Sequence, residues 1–155
     1  MAVYHSAEGR KFFVPLENNP QVFTNLAHDL GMDPKLAFHD VYSLDEPELL
    51  AMVPRPAHAL IFITPSNAKA AARGDTAAPD AQDPIGYHFM AFVKGTDGNL
   101  WGLDGSFGGM MCYGPVGEGE DMLSSKVLDI GVRRFIKAGE GSSEFSIIAL
   151  SEGEE

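Results

Sequence analysis

The residues best able to do chemistry in this chain are a histidine and an aspartate, His88 and Asp104, in the strings YHF and LDG. A carboxylate bonded to one imidazole nitrogen fixes the tautomer of the ring and stabilises its charged form, which leaves the second nitrogen to exchange protons with a nucleophile. In a cysteine-protease-like order, that nucleophile would lie upstream. The single cysteine of the chain, Cys112, follows both residues. The sequence therefore indicates two thirds of a catalytic triad without its thiol.

One predicted β-hairpin positions this pair. Tyr87 to Val93 and Leu100 to Leu103 are β-prone, and Asp97-Gly98 supplies the positive φ that tight hairpin connections require. The spacing from His88 to Asp104 is even, so an odd loop or a bulge near that turn would place both on one face. We expect them to be directly opposed, with Cβ atoms about 4.5–5.5 Å apart and the carboxylate bonded to Nδ1–H. Taken by themselves, these residues favour a structural pair over a catalytic one.

The other candidate side chains offer less. His28 falls on a predicted helix, His39 in a short predicted strand and His58 beside a proline-rich turn, and no spacing of His, Cys, Asp or Glu resembles a metal site. Cys112 lies in the glycine-rich stretch 105–119, which we expect to be irregular, with no basic neighbour to activate the thiol. This stretch lacks phosphate-binding fingerprints, so we expect no phosphate site there, and the sequence as a whole predicts no cofactor.

The composition restricts the class of protein further. A length of 155 residues with 45% hydrophobic residues suits a single domain, 1–155, with one core. No apolar run approaches the roughly 20 residues of a membrane span, and the polar start lacks a signal-peptide core, so we expect a cytoplasmic protein with no membrane partner. The net charge of −11 argues against nucleic acid and makes a basic protein partner more plausible.

The remaining elements predict an α/β fold of the α+β type. Asn19-Pro20 can start a helix that ends at Gly31, and Leu123 to Lys137 reads as a second helix interrupted by Gly131. The unbroken apolar run Ala59 to Ile63 is typical of a strand at the centre of a sheet. Further short strands are predicted at Lys11 to Val14, Phe38 to Tyr42 and Phe145 to Leu150, and a loop that we expect to be flexible at Ser66 to Pro84. Two convincing helices cannot cover both faces of such a sheet, so one helical layer is missing.

Several motifs, taken in order, resemble the ubiquitin carboxyl-terminal hydrolases, a family of papain-like thiol proteases that cleave small adducts from the C-terminus of ubiquitin. In the N-terminal part they are PLENNP at Pro15 to Pro20, FHDVY at Phe38 to Tyr42 and ELLAMVPRP at Glu48 to Pro56. In the C-terminal part they are YHF at Tyr87 to Phe89, DGNLWGLDG at Asp97 to Gly105 and ALS at Ala149 to Ser151.

The resemblance implies a papain-like fold, with helices on the faces of a mainly antiparallel central sheet. It implies that His88 is the general acid/base, that Asp104 orients it, and that residues 66–84 are the end of the loop that crosses the active-site entrance. Ubiquitin or its adducts would be the partner, with Leu16 as a candidate contact. The oligomeric state is left open.

What the resemblance does not supply is the family's central segment, with its nucleophilic cysteine and the glutamine that helps hold the oxyanion. Gln21 and Gln82 do not precede a cysteine, and Cys112 has Ser106 where the glutamine would stand. We therefore expect a deubiquitinase family member that is inactive as written, either a shortened form of an active enzyme or a non-catalytic ubiquitin binder. A small α/β domain of unrelated function is the third reading, which the ordered motifs disfavour.

Overall fold

The computed structural model describes residues 3–5, 11–13, 18–65, 87–104, 109–138 and 145–153. Leu16 and the whole of the loop 66–84 lie outside these residues, so the structure does not address the predictions made for them. The described elements, in chain order, are β1 (Val3–His5), β2 (Lys11–Phe13), α1 (Pro20–Asp29), β3 (Leu36–Asp40), α2 (Pro47–Leu50), β4 (Ala59–Pro65), β5 (Tyr87–Lys94), β6 (Asn99–Asp104), β7 (Gly109–Pro115), α3 (Ser125–Ile130), α4 (Val132–Ala138) and β8 (Ser146–Glu152).

Six of the strands form one antiparallel sheet in the order β3-β8-β4-β5-β6-β7, and β1 pairs with β2 in a separate ribbon. The predicted α/β class with an antiparallel sheet is confirmed. Strand β4 lies between β8 and β5, as its unbroken apolar sequence indicates. Among the described helices, none is long and apolar enough to cross a membrane.

Helix α1 begins and ends where its sequence predicts. The side chain of Asn19 accepts a hydrogen bond from the Gln21 N–H at 2.9 Å, and Pro20 occupies the first turn, where its missing N–H costs nothing. Gly31, just beyond the helix, has φ 99°, a conformation that favours glycine. The helix lies against β3, with the rings of Phe23 and Phe38 in edge contact.

The main core lies between one face of the sheet and helices α3 and α4. We call this the helical face. The rings of Phe62 on β4 and Phe92 on β5 each lie 6.0 Å from the ring of Phe135 on α4. The helical-face core consists mainly of the buried residues Leu60, Phe62, Met90, Phe92, Leu100, Val127, Leu128, Val132 and Phe135.

The opposite face of the sheet, which we call the second face, is less well covered. On strands β4 and β5 its residues are apolar but only half-buried: Ile61, Ile63, Phe89, Ala91 and Val93. Helix α1 packs at the β3 end of the sheet and carries its own exposed apolar side chains, Val22 and Leu26. Within the residues that the structure describes, this arrangement agrees with the expectation that the sheet lacks a helical layer.

Two elements differ from the sequence prediction. The stretch 105–119 was expected to be irregular, but Gly109–Pro115 forms β7, because extended glycines can pair along β6 as other residues do. The predicted helix over Leu123 to Lys137 is divided into α3 and α4 at Gly131. A Cβ on Gly131 would lie 2.9 Å from a methyl carbon of Leu100, so the glycine allows the helices to approach β6 closely.

Candidate functional site

The structure brings His88 and Asp104 together. His88 Nε2 lies 2.5 Å from Asp104 Oδ1, and the side chains are 19% and 1% exposed, respectively. Because an ionised carboxylate only accepts hydrogen bonds, the imidazole donates from Nε2. A buried carboxylate bonded to a partly buried imidazole is an arrangement suited to holding the ring in a fixed orientation.

The hairpin that carries the pair has an odd loop, as the even spacing requires. Lys94 pairs with Leu100, and the five residues between them include Gly98 with φ 79°. Asp97 in this loop accepts hydrogen bonds from the side chain of Asn99 and from the indole of Trp101, and these bonds hold its pKa below the ordinary value. The bulge lies elsewhere, between β6 and β7 at Leu100/Trp101.

Two details of the predicted pair are wrong. Since Ala91 pairs with Leu103, the same register places Asp104 opposite Met90, two positions along β5 from His88. The pair is therefore diagonal and not directly opposed, although it shares a face. The bonded nitrogen is Nε2 and not Nδ1, because a diagonal approach is long and requires the ring nitrogen farther from the backbone.

A residue that the sequence reasoning missed lies beside the pair. Thr64, at the end of β4, pairs directly with His88 and is buried. Directly paired residues point to the same face, so the imidazole is flanked by Thr64 on one strand and by Asp104 on the other. A hydroxyl residue at the end of an otherwise apolar strand was the available sequence signal.

The structure separates Cys112 from the pair. Cys112 on β7 pairs with Trp101 on β6, which in turn pairs with Val93 on the second face. Because directly paired residues share a face, Cys112 projects from the second face. His88 and Asp104 lie on the helical face. Cys112 is exposed. It is not placed to exchange a proton with the His88 imidazole.

His28, His39 and His58 are not gathered into a site either. His28 and His39 bond through Nε2 to the backbone oxygens of Leu36 and Glu152 at 2.8 and 2.9 Å, and His58 is exposed beside the turn that precedes β4. Within the described ranges, no group of three or more His, Cys, Asp or Glu side chains could hold a metal ion.

A second polar contact, at the opposite end of β4 and β5, was also missed. Asp121 accepts two hydrogen bonds from Arg55, one from the Ala57 N–H at 2.8 Å and one from the Leu123 N–H at 3.0 Å. Burial raises the pKa of Asp121, but the hydrogen bonds from Arg55 and the two N–H groups outweigh burial and hold the pKa below its ordinary value of 3.8. This carboxylate joins the segment before β4 to the segment before α3.

The sequence model of ubiquitin carboxyl-terminal hydrolase, family 1, matches residues 13–73 and 66–137. The chain belongs to this family. The two matched stretches together include α1, the strands from β3 to β7, α3 and most of α4, and so they contain both His88 and Asp104.

Curated members of the family show the same relationship. Ubiquitin carboxyl-terminal hydrolase YUH1 of Saccharomyces cerevisiae is 56% identical over 54 residues, which are 35% of this chain and 23% of that protein. Ubiquitin carboxyl-terminal hydrolase 3 of Arabidopsis thaliana is 34% identical over 106 residues, 68% of this chain and 45% of that protein. The chain thus spans less than half the length of these relatives.

The fold also matches that of solved family members. The catalytic domain of Trichinella spiralis UCH37, in a crystal structure bound to ubiquitin vinyl methyl ester, superposes with a TM-score of 0.62 at 16% identity. The match covers 88% of this chain and 94% of that chain. The family fold is therefore shared even though the sequences have diverged widely.

Proposed function

We propose that this chain carries the histidine–aspartate half of a thiol-dependent deubiquitinase and performs no thiol-protease turnover by itself. In this proposal His88 is the general acid/base and Asp104 orients it, as the family resemblance implies. The supporting observation is the 2.5 Å contact between His88 Nε2 and the buried Asp104 Oδ1, in a family member whose one cysteine projects from the other face of the sheet.

The chemistry explains why such a pair is insufficient. In thiol proteases the imidazole takes the proton of a cysteine thiol, the thiolate attacks the carbonyl carbon, and a thioester forms as the leaving group departs. Without a thiol within reach of the imidazole, the first bond cannot form. His88 and Asp104 would then retain their geometry while the covalent step is lost.

The intended substrate would be ubiquitin joined through its C-terminus to a small adduct. The solved neighbours were crystallised with ubiquitin vinyl methyl ester. An acidic chain with a net charge of −11 is suited to a basic protein ligand. A location in the cytoplasm is part of the same proposal.

Two assays test the absence of turnover. We expect the purified chain to release no fluorophore from a ubiquitin C-terminal conjugate above the rate of the His88→Ala variant. We also expect ubiquitin vinyl methyl ester, which traps nucleophilic thiols, to leave the mass of the chain unchanged, as it does for Cys112→Ser. Fluorophore release that His88→Ala abolishes, or a ubiquitin adduct on Cys112, would show that the proposal is wrong.

The two separate matches to the family model, over 13–73 and 66–137, favour a shortened form of a longer enzyme as the origin of this arrangement. The two matches overlap at residues 66–73, in the segment between β4 and β5. Sequencing of the transcript across residues 60–70 decides this point. An in-frame segment there that encodes a cysteine supports the shortened form, and a contiguous transcript overturns it.

A non-catalytic ubiquitin binder is the second candidate, and the acidity of the chain favours it. Titration of labelled ubiquitin separates the two. Saturable binding by a monomer that unfolds cooperatively supports the binder. Protein that melts without cooperativity and binds no ubiquitin supports an incomplete enzyme.

A further inference from the structure

The two edge strands of the six-stranded sheet, β3 and β7, differ in how well they are protected against pairing with another strand. At the β3 edge, helix α1 lies alongside the strand, and the Phe38 N–H donates to Thr24 Oγ1 at 2.9 Å. Strand β3 also carries His39 and Asp40. A backbone N–H that is already hydrogen-bonded, together with polar side chains, hinders another strand from pairing with this edge. The β3 edge is therefore protected.

Among the described residues, no such device protects the β7 edge along 109–112. Within the part of the chain that the structure describes, β7 pairs with β6 alone. Its sequence from Gly109 to Pro115 contains no charged residue, and Met110 is 68% exposed. The bulge at Leu100/Trp101 and the proline, which could hinder pairing, lie at the far end, so 109–112 follows a regular register against β6.

The side chains of β7 are apolar on both faces. Met110 and Cys112 project from the second face and Met111 from the helical face, and all three are exposed. Residues 109–112 thus combine exposed side chains with a strand edge that no described strand other than β6 pairs with.

We propose that β7 is the site at which a second copy of this chain docks, by antiparallel pairing of β7 with β7 across a two-fold axis. The strand suits itself as a partner because its pairing brings no like charges together across the axis, which matters in a chain with a net charge of −11. The protected β3 edge cannot continue the association, so a closed dimer forms and not a fibre.

Charge gives this contact a characteristic dependence on salt. The pairing itself consists of backbone hydrogen bonds and apolar contacts, which salt does not screen. The repulsion between two acidic copies is screened, because the Debye length falls from about 30 Å at 0.01 M to about 10 Å at 0.1 M. We expect dimerisation to become tighter as sodium chloride increases, whereas a contact based on opposite charges would weaken.

Sedimentation equilibrium of the whole chain, up to about 1 mM, tests the proposal. We expect a monomer–dimer equilibrium whose Kd rises at least about tenfold in Met110→Lys, because the two copies then bring ammonium groups together across the axis. Met52→Lys is the matched control: Met52 is 60% exposed but lies after α2, and we expect its Kd to equal that of the unmodified chain.

A distance measurement on the natural sequence needs no substitution and so does not depend on the folding of a variant. A spin label on Cys112, the single cysteine, is expected to lie within about 20 Å of its counterpart, since paired strands are about 4.8 Å apart and β7 is short. A monomer at all concentrations, a dimer that Met110→Lys leaves unchanged, or a longer label separation that indicates another partner surface would each overturn the proposal.

Discussion

His88 reaches Asp104 diagonally, from a strand position two residues away from the one that Asp104 faces. A diagonal pair needs a longer reach than a direct one, and the imidazole provides it by using Nε2. The other ring nitrogen is then held closer to the β5 backbone. The geometry makes the tautomer of His88 a direct measure of whether Asp104 orients it.

The first prediction concerns this tautomer. We expect His88 in the unmodified chain to be protonated on Nε2 when neutral, because Asp104 accepts that proton. Asp104→Ala should shift the ring to a mixture of tautomers and reduce the free energy of unfolding by about 1–3 kcal/mol, the net contribution of a hydrogen bond to a charged group. Nitrogen chemical shifts of the imidazole ring and chemical denaturation measure the two effects.

The same spectra contain their own controls. His28 and His39 each bond through Nε2 to a backbone oxygen that Asp104→Ala does not touch. Their nitrogen shifts should be unchanged in the variant. A His88 tautomer that is unaffected by Asp104→Ala would contradict an orienting role for the carboxylate.

The second prediction concerns pH and Asp121. Its pKa in the folded chain is held below 3.8, the ordinary value, so its charged form stabilises the fold. This contribution is complete above about pH 4 and is lost as pH falls through the lower folded pKa. Asp121→Asn should lower the free energy of unfolding at pH 7 by about 1–3 kcal/mol and flatten its dependence on pH below 4.

Asp129→Asn is the matched control for this change. Asp129, near the end of α3, accepts a hydrogen bond from Arg133 on α4 at 2.8 Å and is largely exposed. An exposed pair of this kind contributes less than about 0.5 kcal/mol. If the two variants have equal stability at pH 7, then the hydrogen bonds to Asp121 do not contribute as the structure indicates. Urea denaturation between pH 3 and 7 measures both.

The sequence predicted those features of the fold that depend on local pattern. Helix α1 has its own cap, proline and terminal glycine, and the unbroken apolar run of β4 identifies a central strand. Strand β7 was missed because its glycines and methionines have little β-propensity, and it exists through pairing with β6. Pairing between distant segments is not written in the local sequence.

The candidate site was likewise predicted where it depends on local pattern and missed where it depends on contacts between distant segments. The even spacing of His88 and Asp104 correctly placed them on one face, because strand alternation is a fixed period. It could not supply the register, which depends on the length of the hairpin loop, nor therefore the bonded nitrogen. The contact between Arg55 and Asp121 joins segments 66 positions apart, and charge alone did not identify it.

The third prediction compares the two faces of β4. Leu60→Ala removes a fully buried side chain on the helical face, and we expect a loss of about 2–5 kcal/mol. Ile61→Ala removes a half-buried side chain on the second face, and we expect about 1–2 kcal/mol, in proportion to the smaller area taken from water. Equal losses in chemical denaturation would mean that the second face is covered as well as the helical face.

The fourth prediction concerns the ring of Tyr113, which lies over Gly102. A Cβ at position 102 would be 2.5 Å from Tyr113 Cε2, and the ring is held from its other sides by Phe92 at 5.6 Å and Phe135 at 6.2 Å. Because the ring cannot withdraw, Gly102→Ala should lower the free energy of unfolding by about 1–3 kcal/mol. Gly153→Ala is the control: its Cβ would meet nothing nearer than 3.4 Å, and the loss should be under about 0.5 kcal/mol. Chemical denaturation measures both variants. Equal denaturation midpoints for Gly102→Ala and Gly153→Ala would contradict the prediction, because they would show that the aromatic contacts beneath α4 do not hold the Tyr113 ring in place.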